Sequence, residues 1–379
     1  MPAIRRSALA AAAVTAVLAL SATACGPNDP NADSKPSATA AQGDQSTGAP
    51  SSIHDLQKWK QGDWKKWDHW AHQAAAFINP VIKDLWKPSR MSQAKDSPNQ
   101  VPTSIGQDQG VSDPAPAPKT AESVQTPYHN NAAPVGKVFF DTPQGSFVCS
   151  GTVVEDPAHP GKSNLVWTAG HCVHAGAKGG WYRNIAFVPS YNDQALPAAQ
   201  ISGAPQSEVA PYGVWWADWA QTSNQWISTG SETGGNGSPY DFSILHVKPE
   251  NASGKSLQET VGAALPVWFN APAVNQFNSV GAWGYPAAPP YDGQKMFDCI
   301  GKPGRLSLDP SMPTEYRLGC TMTGGSSGGG WFAKMPNGKV ALVSNTSIGP
   351  ADNTWLAGPH LGPEAQGVYQ AISQKFANQ

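Results

Sequence analysis

Residues 320–331 read CTMTGGSSGGGW, two serines among five glycines, with a cysteine before them and a tryptophan after. Glycine loses more conformational freedom on folding than any other residue. Such a run therefore marks either a flexible linker or backbone that needs positive φ or close approach. The flanks decide between the two. A linker does not lie between Cys320 and the apolar WFAKM, nor between strand-like runs such as YRLGCTM and KVALVSN. The stretch reads as a rigid turn around a hydroxyl, with Ser327 as the candidate.

The surrounding texture is all-β. From residue 133 onward, VGKVFF, SFVCSGTVV, NLVWTAG, NIAFVPS, FSILHV, NSVGAWGY and GWFAKM are rich in β-branched and aromatic residues. Gly, Pro, Asn and Asp punctuate them, which predicts many short strands in a barrel or sandwich. Only the end, GPEAQGVYQAISQKFANQ, has helical spacing, with Val368, Ile372 and Phe376 on one face.

Two further stretches complement the serine. In VWTAGHCV, His171 ends an apolar strand, which holds a side chain rigidly while exposing it. In GSPYDFSILHV, Asp241 heads an apolar run, where a carboxylate is drawn toward the core and needs hydrogen bonds. A serine nucleophile requires a base for its proton and a third group to orient that base. It also requires N–H groups aimed at the oxyanion, and a turn through Gly324, Gly325 and Ser326 directs the amides of Gly325 and Ser327 into one hole. Each signal alone has an ordinary structural reading; the order His, Asp, Ser within one β region is specific.

TAGHC, DFSIL and GSSGG resemble the three signature segments of chymotrypsin-like (trypsin-fold) serine peptidases, in that family's chain order. CTMTGGSSGG is most similar to the bacterial glutamyl-endopeptidase-like branch. The resemblance implies two six-stranded antiparallel β-barrels with the active site between them, His171 as general base, Asp241 as its orienter and Ser327 as nucleophile. It implies no metal or cofactor. Spacing leaves three pairings open among the four downstream cysteines. The resemblance implies Cys149 with Cys172, which leaves Cys299 with Cys320. Each bridge contributes about 3 kcal/mol in the entropic model.

The sequence departs from the digestive members in two places. Ser326 stands where they carry Asp, which argues against activation by a new N-terminal ion pair, and Gly330 replaces a usual proline. For substrate contacts the resemblance implies Thr321, six residues before the serine, and Thr323, four before it. No acid lies at Thr321, so Lys or Arg preference is not expected. Thr323 agrees with glutamyl preference, whereas Val343 and Ser344 stand where a histidine is expected. LVSNT, including Ser344, is the expected edge strand for the substrate backbone. Trp215, Trp216, Trp219 and Trp226 are expected to pack between the barrels, with an aromatic subsite as the alternative.

The N-terminal third has a different composition. Residues 1–24 carry Arg5 and Arg6, an apolar core and the small-residue end SATAC, which together read as a signal peptide. Ala22–Cys25 resembles a lipobox, with Cys25 the lipidation site. Cleavage after Ala24 is the competing reading and would release the chain. Five cysteines are odd in number, which favours the lipidated form. Residues 25–52 are expected to be a disordered tether. Residues 53–90 place Trp59, Trp64, Trp67, Trp70, Phe77, Ile78, Val81, Ile82 and Leu85 at helical spacing. Seven basic residues against four acidic suit an anionic surface; the alternatives are packing on the downstream domain or a pro-segment. Residues 91–132 read as a Pro/Ser/Gln-rich linker, and 133–379 as the peptidase domain. A formal net charge of −2 gives nothing for nucleic acid. The expectation is an exported, monomeric serine endopeptidase acting on protein or peptide. Its rivals are a non-catalytic surface binding protein and an esterase-like acyl hydrolase.

Overall fold

The structure, a computed structural model, describes residues 38–40, 76–96, 99–105, 111–231, 233 and 235–379. The signal peptide, Cys25, the 25–52 tether apart from Ala38–Ala40, and residues 53–75 lie outside the described residues.

Six strands close the first barrel: β1 (Val135–Thr142), β2 (Gly145–Val154), β3 (Leu165–Thr168), β4 (Arg183–Pro189), β5 (Trp215–Ser223) and β6 (Ser243–Pro249). They pair in the order β5–β6–β3–β2–β1–β4. The ring closes where Ala186 and Phe187 of β4 meet Trp216 and Trp215 of β5. Val138, Val148, Val166, Phe187, Ala220 and Leu245 are fully buried in its core.

Besides the two-residue strand Gly349–Pro350, the second half has seven strands: β7 (Val280–Gly284), β8 (Phe297–Gly301), β9 (Gly304–Leu306), β10 (Glu315–Gly319), β11 (Gly330–Lys334), β12 (Val340–Asn345) and β13 (Trp355–Pro359). They form two antiparallel sheets, β12–β11–β7–β8 and β9–β10–β13, around one core containing Val280, Leu318, Trp331, Val343 and Leu356. The Cys299–Cys320 disulfide ties β8 to the end of β10 and so joins the sheets. The C-terminal helix Pro363–Phe376 buries Val368, Ile372 and Phe376, as its spacing predicts. It packs on Trp167, Phe242 and Ile244 of the first barrel.

The N-terminal region differs from its sequence reading. Residues 77–87 are extended and turned, and the only helix in the described part of 53–90 is the short one at Pro88–Met91. Pro80 removes a donor and pushes Asn79 toward extended backbone, and Asp84 has a positive φ of 58°. The apolar spacing serves packing on the downstream domain, one of the alternatives read from the sequence. Phe77, Ile78, Ile82, Leu85, Trp86 and Met91 each bury against the first barrel, which overrides helical propensity. Asn79 acts as a peptide surrogate where β4 and β5 are sparsely paired. Its Nδ2 donates to Ile185 O and Ala217 O, and its Oδ1 accepts from Ile185 N. This cover explains why β1 is buried along its whole length.

The expected linker is likewise built into the fold. Lys95–Asp96 pairs in parallel with Phe147–Val148, and Gln100–Val101 in parallel with Gly349–Pro350. Glu122–Ser123 pairs antiparallel with Asp298 and Phe297. Tyr128 is fully buried, and its hydroxyl accepts from Met296 N at 3.0 Å. The tryptophans also sit elsewhere than between barrels. Trp215, Trp216 and Trp226 belong to the core of the first barrel, and Trp219 lies at its margin beneath Lys375.

Candidate active site

Asp241 follows the turn Ser238–Tyr240 and enters β6 with no exposure. Its carboxylate is satisfied by three donors. His171 N reaches Oδ1 at 2.8 Å, while His171 Nδ1 at 2.7 Å and Ser347 Oγ at 2.5 Å reach Oδ2. A buried carboxylate persists only with such partners, and these also fix the imidazole plane.

His171 lies in the one-turn helix Gly170–Cys172 after β3. The Cys149–Cys172 disulfide, with Cα atoms 6.1 Å apart, ties that turn to β2. Trp226 backs the imidazole at 6.3 Å between ring centres and donates from Nε1 to His174 O. The far ring nitrogen, Nε2, is buried and makes no hydrogen bond among the described residues.

The glycine run is a rigid cradle. Gly325 has φ +94°, and a Cβ there would lie 2.7 Å from Tyr285 O. Gly328 has φ +77°, and its Cβ would lie 2.2 Å from Thr168 Oγ1. Both conformation and space therefore demand glycine. The Ser327 carbonyl accepts from Ser150 N at 2.7 Å, and Gly328 N donates to Thr346 O at 2.7 Å.

A trans peptide points its N–H opposite its carbonyl, so anchoring one aims the other. Gly324 O accepts from Ala287 N at 2.6 Å, and Ser326 O accepts from Gly329 N at 3.0 Å. These bonds fix the planes that carry the amides of Gly325 and Ser327. Neither amide has an acceptor among the described residues.

Met322, Thr323, Gly324, Ser326, Ser327, Thr346, Ser347, Ile348, Gly349, Asn353 and Leu356 line one cleft with Asn99 and Gln100. The space left is about 20 Å³, roughly enough for one water. The expected substrate residues fare unequally here. Thr323 lines the cleft, but its hydroxyl is committed to the backbone N and O of Ala288. Thr321 does not line it, because its hydroxyl bonds Ala121 N and Tyr291 OH. Ser344 does not line it either, because it is fully buried and its hydroxyl donates to Pro359 O at 2.8 Å. Ser347–Gly349 takes the place expected for the Ser344 strand.

Thr346 closes the LVSNT stretch expected at the substrate, whereas Ser347, Ser150 and Asn99 carry no signal in the sequence that marks them as site residues. Glu315 is another such group. Ser238 Oγ donates to its Oε2 at 2.8 Å, just before Asp241. Burial pushes its carboxyl up from 4.5 to about 8. Among the described residues, metal-ligating atoms cluster at Cys149, His171 and Cys172. Those two sulfurs are bonded to each other and offer no thiolate.

Among solved structures, the chain is similar to the thermostable serine protease AL20 from an extremophilic microorganism, at 33% identity and a TM-score of 0.51. The match covers 64% of this chain and 98% of that one. It is also similar to the protease Anisep from Arthrobacter nicotinovorans, at 29% identity and a TM-score of 0.50, over 66% of this chain and 99% of that one. The chain belongs to the chymotrypsin-like serine proteases. No family model and no curated protein matches its sequence.

Proposed function

We propose that the chain is an exported serine endopeptidase with Ser327 as nucleophile, His171 as general base and Asp241 as the group that orients it. The observation that carries this reading is that Ser347, which donates to the carboxylate of the buried Asp241–His171 pair, lines one cleft with Ser327 and the glycine turn, whose Gly325 and Ser327 amides have no acceptor among the described residues.

Ser327 Oγ attacks the scissile carbonyl carbon while His171 Nε2 takes the hydroxyl proton. The carbonyl oxygen becomes an oxyanion held by the N–H groups of Gly325 and Ser327. Asp241, bonded to Nδ1, stabilises the imidazolium. Collapse breaks the C–N bond, and the imidazolium gives its proton to the leaving amine. Water then attacks the acyl-enzyme with His171 again as base, releasing the acid and restoring the serine.

Export is supported by the two disulfides, which persist in oxidising compartments. They consume four of the five cysteines and leave Cys25 for lipidation, which would place the domain on the outer face of the membrane.

The test is Ser327→Ala in the full chain, assayed on peptide and ester substrates and with a fluorophosphonate probe mapped to its peptide. The expected result is loss of activity by several orders of magnitude, with the melting transition retained. More than a tenth of the activity remaining overturns the assignment. Turnover of esters without peptides moves it to the esterase reading.

A further inference from the structure

The peptide that crosses the cleft is the chain's own. Asp96 presses against the glycine turn so closely that a Cβ on Gly324 would lie 2.6 Å from its Oδ2. Asn99 is only 5% exposed, and its Nδ2 lies 3.4 Å from His171 Nδ1 and 3.2 Å from Ser347 O. Gln100–Val101 adds in parallel to Gly349–Pro350 at the cleft edge, and Ala351 N donates to Val101 O. Val101 is 1% exposed and packs with Leu306, Ile348, Trp355 and Ala357.

Both ends of this strap are anchored, one on each half of the molecule. Upstream, Arg90 pairs with Asp141 at 2.7 Å on the first barrel. Downstream, Asp113 pairs with Arg305 at 2.8 Å on the second half. In this arrangement His171 is 1% exposed and Ser327 5%.

The strap is not presented as a substrate. What it offers to His171 is the side-chain amide of Asn99. No described peptide carbonyl enters the hole formed by the Gly325 and Ser327 amides. Asn99 and Gln100 line the cleft, and none of the described strap residues places a carbonyl in that hole. Adding a strand at a sheet edge is a common means of binding peptide, and here the chain uses it on itself.

We infer that the strap bearing Asp96, Asn99, Gln100 and Val101 is a built-in inhibitor that keeps the peptidase shut until it is cut or displaced. The inference rests on the catalytic reading above, because there must be an activity to restrain.

The experiment compares full-length wild type, Asn99→Gly and Val101→Asp. Two rates are read: fluorophosphonate labelling at Ser327, and hydrogen exchange at the Ala351 amide, which the docked strap protects. A carboxylate at Val101 has no partner in its apolar pocket, so the strap is expelled and labelling rises by about tenfold or more. Ala351 exchange accelerates in parallel. Asn99→Gly removes the plug beside His171 with little demand on folding, and labelling also rises.

Faster Ala351 exchange with unchanged, readily measurable labelling overturns the inhibitor and leaves the peptidase reading standing. Unchanged Ala351 exchange in Val101→Asp overturns the docked strap. Faster exchange with no labelling in any form overturns the catalytic assignment, and the inhibitor falls with it.

Discussion

Glu315→Gln isolates a buried carboxyl whose burial favours its neutral form. Glu315 is 1% exposed on β10, accepts one hydrogen bond from Ser238, and has its other oxygen buried with no partner among the described residues. Burial raises its pKa from 4.5 to about 8, and the charge of Asp241 nearby adds to the rise. The folded state thus holds a proton that the unfolded state has already released. Stability from this group is fully present below pH 4.5, declines as pH rises, and is lost above about 8. A shift from 4.5 to about 8, at about 1.4 kcal/mol per unit, amounts to about 5 kcal/mol at most.

Glutamine keeps the shape and the acceptor for Ser238 but cannot ionise. Urea unfolding of wild type and Glu315→Gln across pH 5 to 9 is the assay. The two proteins are expected to be of similar stability near pH 5, with the variant gaining several kcal/mol by pH 9. A stability difference that stays constant across this range refutes the argument that burial keeps the carboxyl neutral. Activity is a second readout. An ionised Glu315 sets a like charge near Asp241, so wild type should lose rate above pH 8 where Glu315→Gln does not.

Ser347→Ala removes one of three donors to the Asp241 carboxylate. A hydrogen bond to a charged group contributes about 1.5–3 kcal/mol, so kcat should fall by about tenfold or more with KM little changed. An unchanged kcat and pH profile would show that Ser347 does not help position the pair. Gly328→Ala forces a side chain into φ +77° and against Thr168 Oγ1. The backbone term alone costs about 1–2 kcal/mol, so the melting temperature should drop and labelling of Ser327 should fall. A variant as stable as the wild type would mean the turn is not packed as described.

The parts of this architecture legible in the sequence are those whose physics is local. The positive φ of Gly325 and Gly328 belongs to the turn around Ser327 itself, and the surrounding strand texture excludes a linker. His171 and Asp241 are legible because each sits at the end of an apolar run that fixes where it must lie. Counting along the chain works less well for the substrate residues. The β11–β12 pairing shifts register between Trp331 and Phe332, and β12 ends at Asn345. The position that the family resemblance implies, Ser344, falls inside the core, while the cleft is lined two and three residues later by Thr346 and Ser347. Ser347 reaches Asp241 across 106 positions of sequence, a distance over which no motif in a single chain carries information.

The same reasoning explains why the N-terminal region misleads. Phe77, Ile78, Ile82 and Leu85 fall at helical spacing, yet all four join the core cluster of the first barrel from extended and turned backbone, so burial satisfies the pattern without a helix. Asn99 contacts a carbonyl 248 positions away, and its flanking strand pairings are only two residues long. Segments that short show no periodicity, and their Pro, Ser and Gln content suits extended backbone as readily as disorder. A strap that must lie in a cleft and also be removable has reason to look this way. Strong intrinsic structure would hold it in the cleft, whereas a weak segment clamped by Arg90–Asp141 on one side and Asp113–Arg305 on the other stays only while both ends remain attached.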